Sequence, residues 1–181
     1  MKKEPLFDSL SRRSFLKISA IWAGGAWIVG VPSLSANPYR ELTDSEAEIM
    51  DALADAIIPP GEFAGGKDAR VTQFIDQQIG RYGYLQHDKE MYKTCLPALN
   101  RSSRERFGAL FTELNEDQKE EYLKAIEAGE YNNLPANSGW GSFTPSSFFN
   151  TTRNQCMMGF YGSPIHGGNK DYVSYRMLGL Y

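Results

Sequence analysis

The chain has 181 residues, with 19 Lys and Arg, 22 Asp and Glu, and a formal net charge of −3. This length allows one domain of ordinary size, and 41% hydrophobic residues are enough for a packed core, which excludes wholesale disorder. A mean hydropathy of −0.44 excludes a protein that crosses the membrane many times. The charge is uneven: residues 1–36 carry a net +3 and the remainder a net −6. A body this acidic disfavours nucleic-acid binding.

The first 36 residues have the order of an export signal: a basic polar stretch, an uncharged apolar run, and small residues before a cleavage site. The stretch Arg12-Arg13-Ser14-Phe15-Leu16-Lys17 resembles the twin-arginine consensus at almost every position. We therefore expect Arg12, Arg13, Phe15 and Leu16 to be read by the twin-arginine translocase. The compartment that this predicts is the bacterial periplasm.

The apolar run from Ile18 to Val31 is short for a membrane anchor, since a spanning helix needs about 20 apolar residues. Cleavage after Ser35 or Ala36 would separate a signal over 1–36 from a mature domain over 37–181. An uncleaved signal that anchors the chain, and a core helix with a chance pair of arginines, are the alternatives. Because the twin-arginine route carries folded proteins, its cargo often holds a cofactor or travels with a partner that does.

Apolar residues recur at helical spacing through the body, which predicts an all-α domain of five or six helices with long loops and no sheet. Thr43-Asp44-Ser45-Glu46 is a capping box that begins the first helix, and Pro59-Pro60-Gly61 ends it. The next helix is expected over 68–79 with Gly80 as its cap, followed by helices over 84–98, where Pro97 disturbs the pattern, over 101–114, from Asn115 to Gly129, and from Thr144-Pro145 to Gly159.

The residue types that bind metals or attach haem are scarce. The chain has only two histidines and two cysteines, without Cys-x-x-Cys, which excludes a c-type haem attachment and a thiolate zinc or iron–sulfur site. Gly65-Gly66-Lys67 lacks the spacing of a phosphate-binding loop. We expect no cofactor or metal in this chain.

Cys95 and Cys156 both lie in the part of the chain that would be exported, where oxidation is permitted. A disulfide between them would close a loop of about 60 residues and stabilise the fold by roughly 2 to 4 kcal/mol. The alternative is two separate buried thiols, since free cysteine is a common core residue.

Two loops carry candidate functional residues. Trp140 and Phe143 stand among glycines outside any periodic pattern, so they either fill an edge of the core or dock a partner. In Ser163–Asp171, the paired Gly167 and Gly168 allow a close backbone approach or a positive φ. The residues that we expect at a partner interface are Trp140, Phe143, Tyr161, Pro164, Gly167, Gly168 and Asn169.

The Ser163–Asp171 loop has two interpretations. In one, it satisfies its own amides through Asn169 and Asp171. In the other, it lies against a partner's cofactor or substrate, with His166 and Asn169 as the groups closest to that site. The sequence alone leaves both open.

Several motifs occur together: the twin-arginine signal, the helix from Leu42-Thr43 to Ile57-Ile58-Pro59-Pro60, the entry Gly66-Lys67-Asp68-Ala69, Tyr161-Gly162-Ser163-Pro164, and Gly167-Gly168-Asn169. Together they resemble the gluconate 2-dehydrogenase subunit 3 family over nearly the whole chain. The chain departs from the family pattern after the Gly-Gly-Asn loop, where a tyrosine stands in place of the common tryptophan, and at Gly179-Leu180-Tyr181, where the family commonly has Pro-Gly after the terminal glycine.

This resemblance implies a noncatalytic small subunit that pairs with a large FAD-containing dehydrogenase of the glucose-methanol-choline type, an oxidoreductase acting on CH–OH groups. It implies FAD in that large subunit and haem c in a possible third, cytochrome c, subunit. The substrate class would be a sugar, a glycoside or a sugar acid, and membrane association would arise only through the complex. The alternatives are a direct contribution to the active site through His166, and a free-standing periplasmic binding or structural protein.

Overall fold

The computed structural model describes residues 20–23, 26–29, 38–133 and 138–181. The chain divides into two units, Met1–Ala36 and Asn37–Tyr181. In the first unit, strands β1 (Ala20–Ala23) and β2 (Ala26–Val29) pair in antiparallel orientation, with Ala20 opposite Val29. The twin-arginine residues Arg12, Arg13, Phe15 and Leu16 and the expected cleavage site lie outside the described residues, so the export signal stays a prediction.

The second unit is helical, which confirms the predicted all-α class. Its described residues form six α-helices and no sheet. They are α1 (Asp44–Ile57), α2 (Val71–Arg81), α3 (Gln86–Phe107), α4 (Glu116–Glu127), α5 (Pro145–Tyr161) and α6 (Val173–Met177). None of the helices in the described part of the chain is both long and apolar enough to span a bilayer.

The predicted helix starts are confirmed at three caps. Thr43 accepts the backbone N–H of Glu46 while the Glu46 carboxylate accepts the N–H of Thr43, so the capping box of α1 is complete. Asn115 forms the same arrangement with Gln118 at α4. Thr144 caps α5, with Pro145 in its first turn, where proline's missing N–H costs nothing.

Helix α2 begins later than predicted. Residues 67–70 form turns that end at Arg70, whose φ of +61° is left-handed, and the helix begins at Val71. The reason lies in the preceding loop, where the N–H of Lys67 is bonded to the Asp55 carboxylate and Gly66 lies against the backbone of Ala54. This contact with the end of α1 holds the loop in a non-helical path. Gly80 lies inside α2, not at its cap.

The predicted break at Pro97 is wrong, because α3 runs without interruption from Gln86 to Phe107. Pro97 is exposed, while the adjacent Leu96 and Ala98 are fully buried. Burial of these neighbours stabilises the helix across the proline. The helix predicted over 101–114 is therefore also wrong. Helix α3 ends at Phe107 with Gly108, at φ +76°, as its C-cap, and only a 3₁₀ turn follows at Phe111–Glu113.

The core of the body is organised around α1, which packs against α2, α3, α4 and α5. Its apolar face, including Met50 and Leu53, is fully buried. The apolar side chains of α2 are buried as well, and so are Tyr122 and Ile126 of α4. The end of α5 and the segment after it bury some side chains, such as those of Phe160 and Val173, and expose others.

Candidate functional site: the segment after helix α5

The chain folds back sharply where α5 ends. The N–H of Gly162 donates to the carbonyl of Met158 at 2.9 Å, and Pro164–His166 then form a single 3₁₀ turn. Gly167 follows with φ +97°, a conformation that glycine adopts without steric cost. The predicted irregular loop therefore has a defined path back toward α5.

Gly168 makes the close approach that the paired glycines predicted. It is buried, and a Cβ added there would collide with the backbone carbonyl of Gly159 in α5. Gly159 in turn lies against Phe74 of α2, where an added Cβ would come within 2.8 Å of the ring. The surface that Gly168 approaches thus belongs to this chain. A residue with a side chain does not fit at position 168 between the loop and α5.

Asn169 fixes the loop from inside. It is fully buried, its Nδ2 donates to the carbonyl of Gly162 at 2.8 Å, and its Oδ1 accepts the N–H of Ser174 at 3.0 Å. The adjacent N–H of Lys170 donates to the carbonyl of Ala69, just before α2. The side chain of Asn169 is therefore used within the chain, as expected for a loop that satisfies its own polar groups, and it positions the segment on either side.

Three residues that follow the glycines have left-handed backbones. Asn169, Asp171 and Tyr172 have φ values of +45°, +56° and +57°. Asparagine and aspartate tolerate this region, but it is strained for a residue as bulky as tyrosine. The bonds of Asn169 to Gly162 and Ser174 hold the strained turn in place, and this turn sets the position of Tyr172.

His166 and its neighbour Ile165 are exposed, in contrast to Gly168 and Asn169. Ile165 is 83% exposed, an unusual position for a large aliphatic side chain in an ordered turn. Of the two residues that the sequence placed close to a partner's reacting group, His166 faces solvent and Asn169 is buried.

Trp140 and Phe143, the aromatic residues of the other candidate loop, contact the body. Trp140 is 3% exposed, and its ring packs edge-on against Phe148 at 5.7 Å. Phe143 is half-buried, with its ring 5.2 Å from that of His87. Trp140 therefore fills an edge of the core, which was one of its two interpretations.

Cys95 and Cys156 are free thiols, and both are fully buried. The structure thus has two separate core thiols and not the possible disulfide. Burial raises the pKa of each thiol to about 12. At neutral pH neither is a thiolate, so neither is a nucleophile.

A groove of about 510 Å³ lies between the end of α1 and the start of α4. Its walls combine Ile57 and Pro59 with Glu116 and Glu120, which lie on the exposed side of α4. Carboxylates in the first turns of a helix are favoured by the helix dipole and need no ligand. Among the described residues, no group of three or more His, Cys, Asp or Glu side chains is arranged to hold a metal ion.

The large apolar side chains that face solvent lie mainly at the C-terminal end. In the described residues, eight of the nine exposed ones fall between residues 157 and 181, and the ninth is Tyr84. The rings of Tyr172 and Tyr181 are stacked at 4.6 Å with an interplanar angle of 6°. Sequence reasoning selected Tyr161 from this group. It missed Met157, Met158, Ile165, Tyr172, Leu178, Leu180 and Tyr181.

A compositional signal could have revealed this surface. From Asn154 to Tyr181 the chain has only three charged residues, Lys170, Asp171 and Arg176, whereas 23% of the whole chain is charged. A segment with so few charges either fills the core, as Cys156, Phe160 and Val173 do, or is a candidate for contact with another molecule.

These features define a small all-α protein whose glycine-rich loop packs against its own helix α5 and whose exposed apolar residues are concentrated toward the C-terminal end, as in a protein that works bound to another. The family model described as gluconate 2-dehydrogenase subunit 3 matches residues 44–180, and the chain belongs to that family. It is accordingly an accessory subunit of a dehydrogenase complex, which implies further subunits. No curated protein and no solved structure showed significant similarity to the chain.

Proposed function

We propose that this chain is the accessory small subunit of a periplasmic FAD-dependent sugar, glycoside or sugar-acid dehydrogenase of the glucose-methanol-choline type. Its role is to support export, folding and stability of the large flavin-bearing subunit. The observation that carries the proposal is the family match over residues 44–180. A cytochrome c subunit would complete the complex as the acceptor of electrons from the flavin.

The sequence before the body supports the export role. Arg12 and Arg13 precede Phe15 and Leu16 in a segment that resembles a twin-arginine signal. A large subunit that lacks a signal of its own would cross the membrane bound to this chain. The folded body provides a helical scaffold for this role, and its two cysteine thiols are buried within it.

The decisive experiment expresses the large flavin-bearing subunit with and without this chain. We expect that without it the large subunit is insoluble, poor in FAD or retained in the cytoplasm. A matched variant with Arg12→Lys and Arg13→Lys should leave the complex folded and flavin-loaded but cytoplasmic. Full periplasmic activity of the large subunit alone would contradict the proposal.

A second candidate role is a direct contribution to the active site through the Ser163–Asp171 loop. The observation that favours it is the exposure of His166 beside the exposed Ile165. In this role the imidazole would contact the substrate or flavin of the large subunit. Steady-state kinetics of a complex with His166→Ala test it: a change in KM or kcat supports the contact, and unchanged constants in an intact complex remove it.

A further inference from the structure

The exposed apolar residues near the C-terminus are carried by three adjacent parts of the structure. Met157, Met158 and Tyr161 lie on the last turns of α5, and Ile165 lies on the turn that follows. The rest come from the segment that includes α6, and the whole set is Met157, Met158, Tyr161, Ile165, Tyr172, Leu178, Leu180 and Tyr181. We call these eight residues the C-terminal surface. Helices α5 and α6 pack against each other, so the parts belong to one region of the body.

The exposed residues of this region are rich in large apolar and aromatic side chains, as an interface core is. Buried interface cores are depleted in charged residues and enriched in tyrosine, methionine and arginine. Of the 14 exposed residues between 154 and 181, eight are large apolar or aromatic side chains, and three, Lys170, Asp171 and Arg176, are charged. Scattered surface hydrophobics are normal, but so uneven a distribution indicates contact with another molecule.

The end of the chain is folded into a fixed position, not left extended. Helix α6 ends in a Schellman motif, in which Gly179 has φ +68°, its N–H donates to the carbonyl of Arg176, and the N–H of Leu180 donates to that of Tyr175 at 2.8 Å. This turn brings Tyr181 back onto Tyr172. The two rings stack although Tyr181 remains 77% exposed.

The other ring of the stack is held by backbone strain. Tyr172 has φ +57°, and the buried Asn169 clamps the strained turn between Gly162 and Ser174. Strained, over-determined backbones occur where geometry serves a function. Here the strain places an aromatic pair on the outside of the body, where it contributes little to the core. A rigid aromatic group of this kind loses little conformational entropy when a partner binds.

From these observations we infer that the C-terminal surface is where the flavin-bearing catalytic subunit docks, with the Tyr172–Tyr181 stack as the anchor. This inference rests on the proposed function, because the family is one of subunits and a subunit must bury part of its surface in its complex. The matching surface on the catalytic subunit is largely apolar, with room for two stacked rings. A membrane is less favoured as occupant, since interfacial segments carry several basic residues and this region has only Lys170 and Arg176 with Asp171 between them.

The test uses the full-length chain co-expressed with an affinity-tagged flavin-bearing subunit. The double variant Leu180→Ala and Tyr181→Ala removes two side chains that are 71% and 77% exposed, so the fold should be unaffected. We expect the amount of this chain recovered per FAD to fall about tenfold, as when an anchor residue is truncated. Tyr84→Ala is the matched control, because Tyr84 is 78% exposed and lies outside the C-terminal surface; it should bind like the wild type.

The outcomes separate the docking surface from the proposed function. If the wild-type chain does not co-purify with the flavin-bearing subunit, both are overturned. If the wild type co-purifies and the double variant does so equally, with equal circular-dichroism melting curves, only the docking surface is overturned. The same holds if recovery is unchanged while the double variant abolishes a dimer of the isolated chain in sedimentation, or abolishes its binding to phosphatidylethanolamine–phosphatidylglycerol vesicles, because the surface then serves a second copy or a membrane.

Discussion

The carboxylate of Asp76, in the middle of α2, accepts the backbone N–H of Leu42 at 2.9 Å. The same carboxylate accepts the N–H groups of Arg40 at 2.7 Å and Glu41 at 2.9 Å, and Asp76 is only 1% exposed. Three charge-assisted bonds therefore fix the entry of the chain into α1 against α2. No sequence motif predicts this contact, because the residues that form it are more than 30 positions apart.

Asp76→Asn should destabilise the body by roughly 2 to 3 kcal/mol, because one amide oxygen cannot replace two carboxylate oxygens and the new NH₂ group faces backbone donors. Urea unfolding followed by circular dichroism measures the change. Asp68→Asn is the control, since Asp68 is exposed, and should change stability by less than about 0.5 kcal/mol. If the two variants changed the free energy of unfolding equally, the three hydrogen bonds of Asp76 would make no net contribution to stability.

Gly168→Ala should be poorly tolerated. The new Cβ would collide with the backbone carbonyl of Gly159, which cannot move without shifting α5 against Phe74. We expect a loss of roughly 2 kcal/mol or more, within the range for overpacking. Gly83→Ala is the matched control, because nothing lies within 4 Å of a Cβ at that position. Thermal melts of both variants decide the matter, and a Gly168→Ala melt equal to that of the wild type would contradict the close packing.

The stability of the body should depend on the charge of Glu46. Burial by itself raises the pKa of this carboxyl, but hydrogen bonds from Lys93 and Thr43 outweigh it, so the pKa lies below its ordinary value. A lowered pKa means that the contribution to stability is present at neutral pH and is lost as the pH falls through the folded-state pKa.

Glu46→Gln tests this dependence, because glutamine preserves the capping box but removes the charge that faces Lys93. We expect the variant to be less stable by about 1 kcal/mol at pH 7. The difference should shrink below about pH 4, as the wild-type carboxyl becomes protonated. Urea titrations at a series of pH values measure it, with Glu48→Gln on the exposed side of α1 as control. A difference that does not vary with pH would rule out the ionic contribution.

The two cysteine thiols should be unreactive toward labelling reagents in the folded protein. Both thiols are fully buried with a pKa of about 12, so Ellman's reagent should label neither at neutral pH. After denaturation without reductant, both should react. If the denatured and unreduced protein gave no labelling, the chain would contain the disulfide that the structure lacks. Rapid labelling of the native protein would instead contradict the burial of the thiols.

Features set by neighbours in sequence were the ones that could be predicted. The caps at Thr43, Asn115 and Thr144 each depend on residues within four positions, and all three formed as expected. The helical class followed from apolar spacing, which needs no knowledge of partners. The course of α3 through Pro97 could not be foreseen, because it depends on which side of the helix is buried, and that is set by other helices.

In the candidate site, too, local features could be predicted from the sequence and features that depend on distant contacts could not. Gly167 and Gly168 indicated a close approach or a positive φ, and both occur, but the sequence could not reveal that Gly159 of the same chain is the neighbour. The internal hydrogen bonds of Asn169 match one of the two interpretations that the sequence allowed, a loop that satisfies its own polar groups. The Tyr172–Tyr181 stack was not, because it arises from left-handed residues whose conformation is imposed by long-range bonds such as that between Lys170 and Ala69.

The central position of α1 has a consequence for the order of events in the cell. This helix is synthesised before α5, which begins roughly 100 residues later and packs against it. Contacts so distant in sequence form only once the intervening chain exists, so the core closes only after α5 has been synthesised. A chain truncated before α5 would leave α1 without part of its covering. If the chain is exported in folded form, as proposed above, the body becomes competent for export only after α5 has been synthesised.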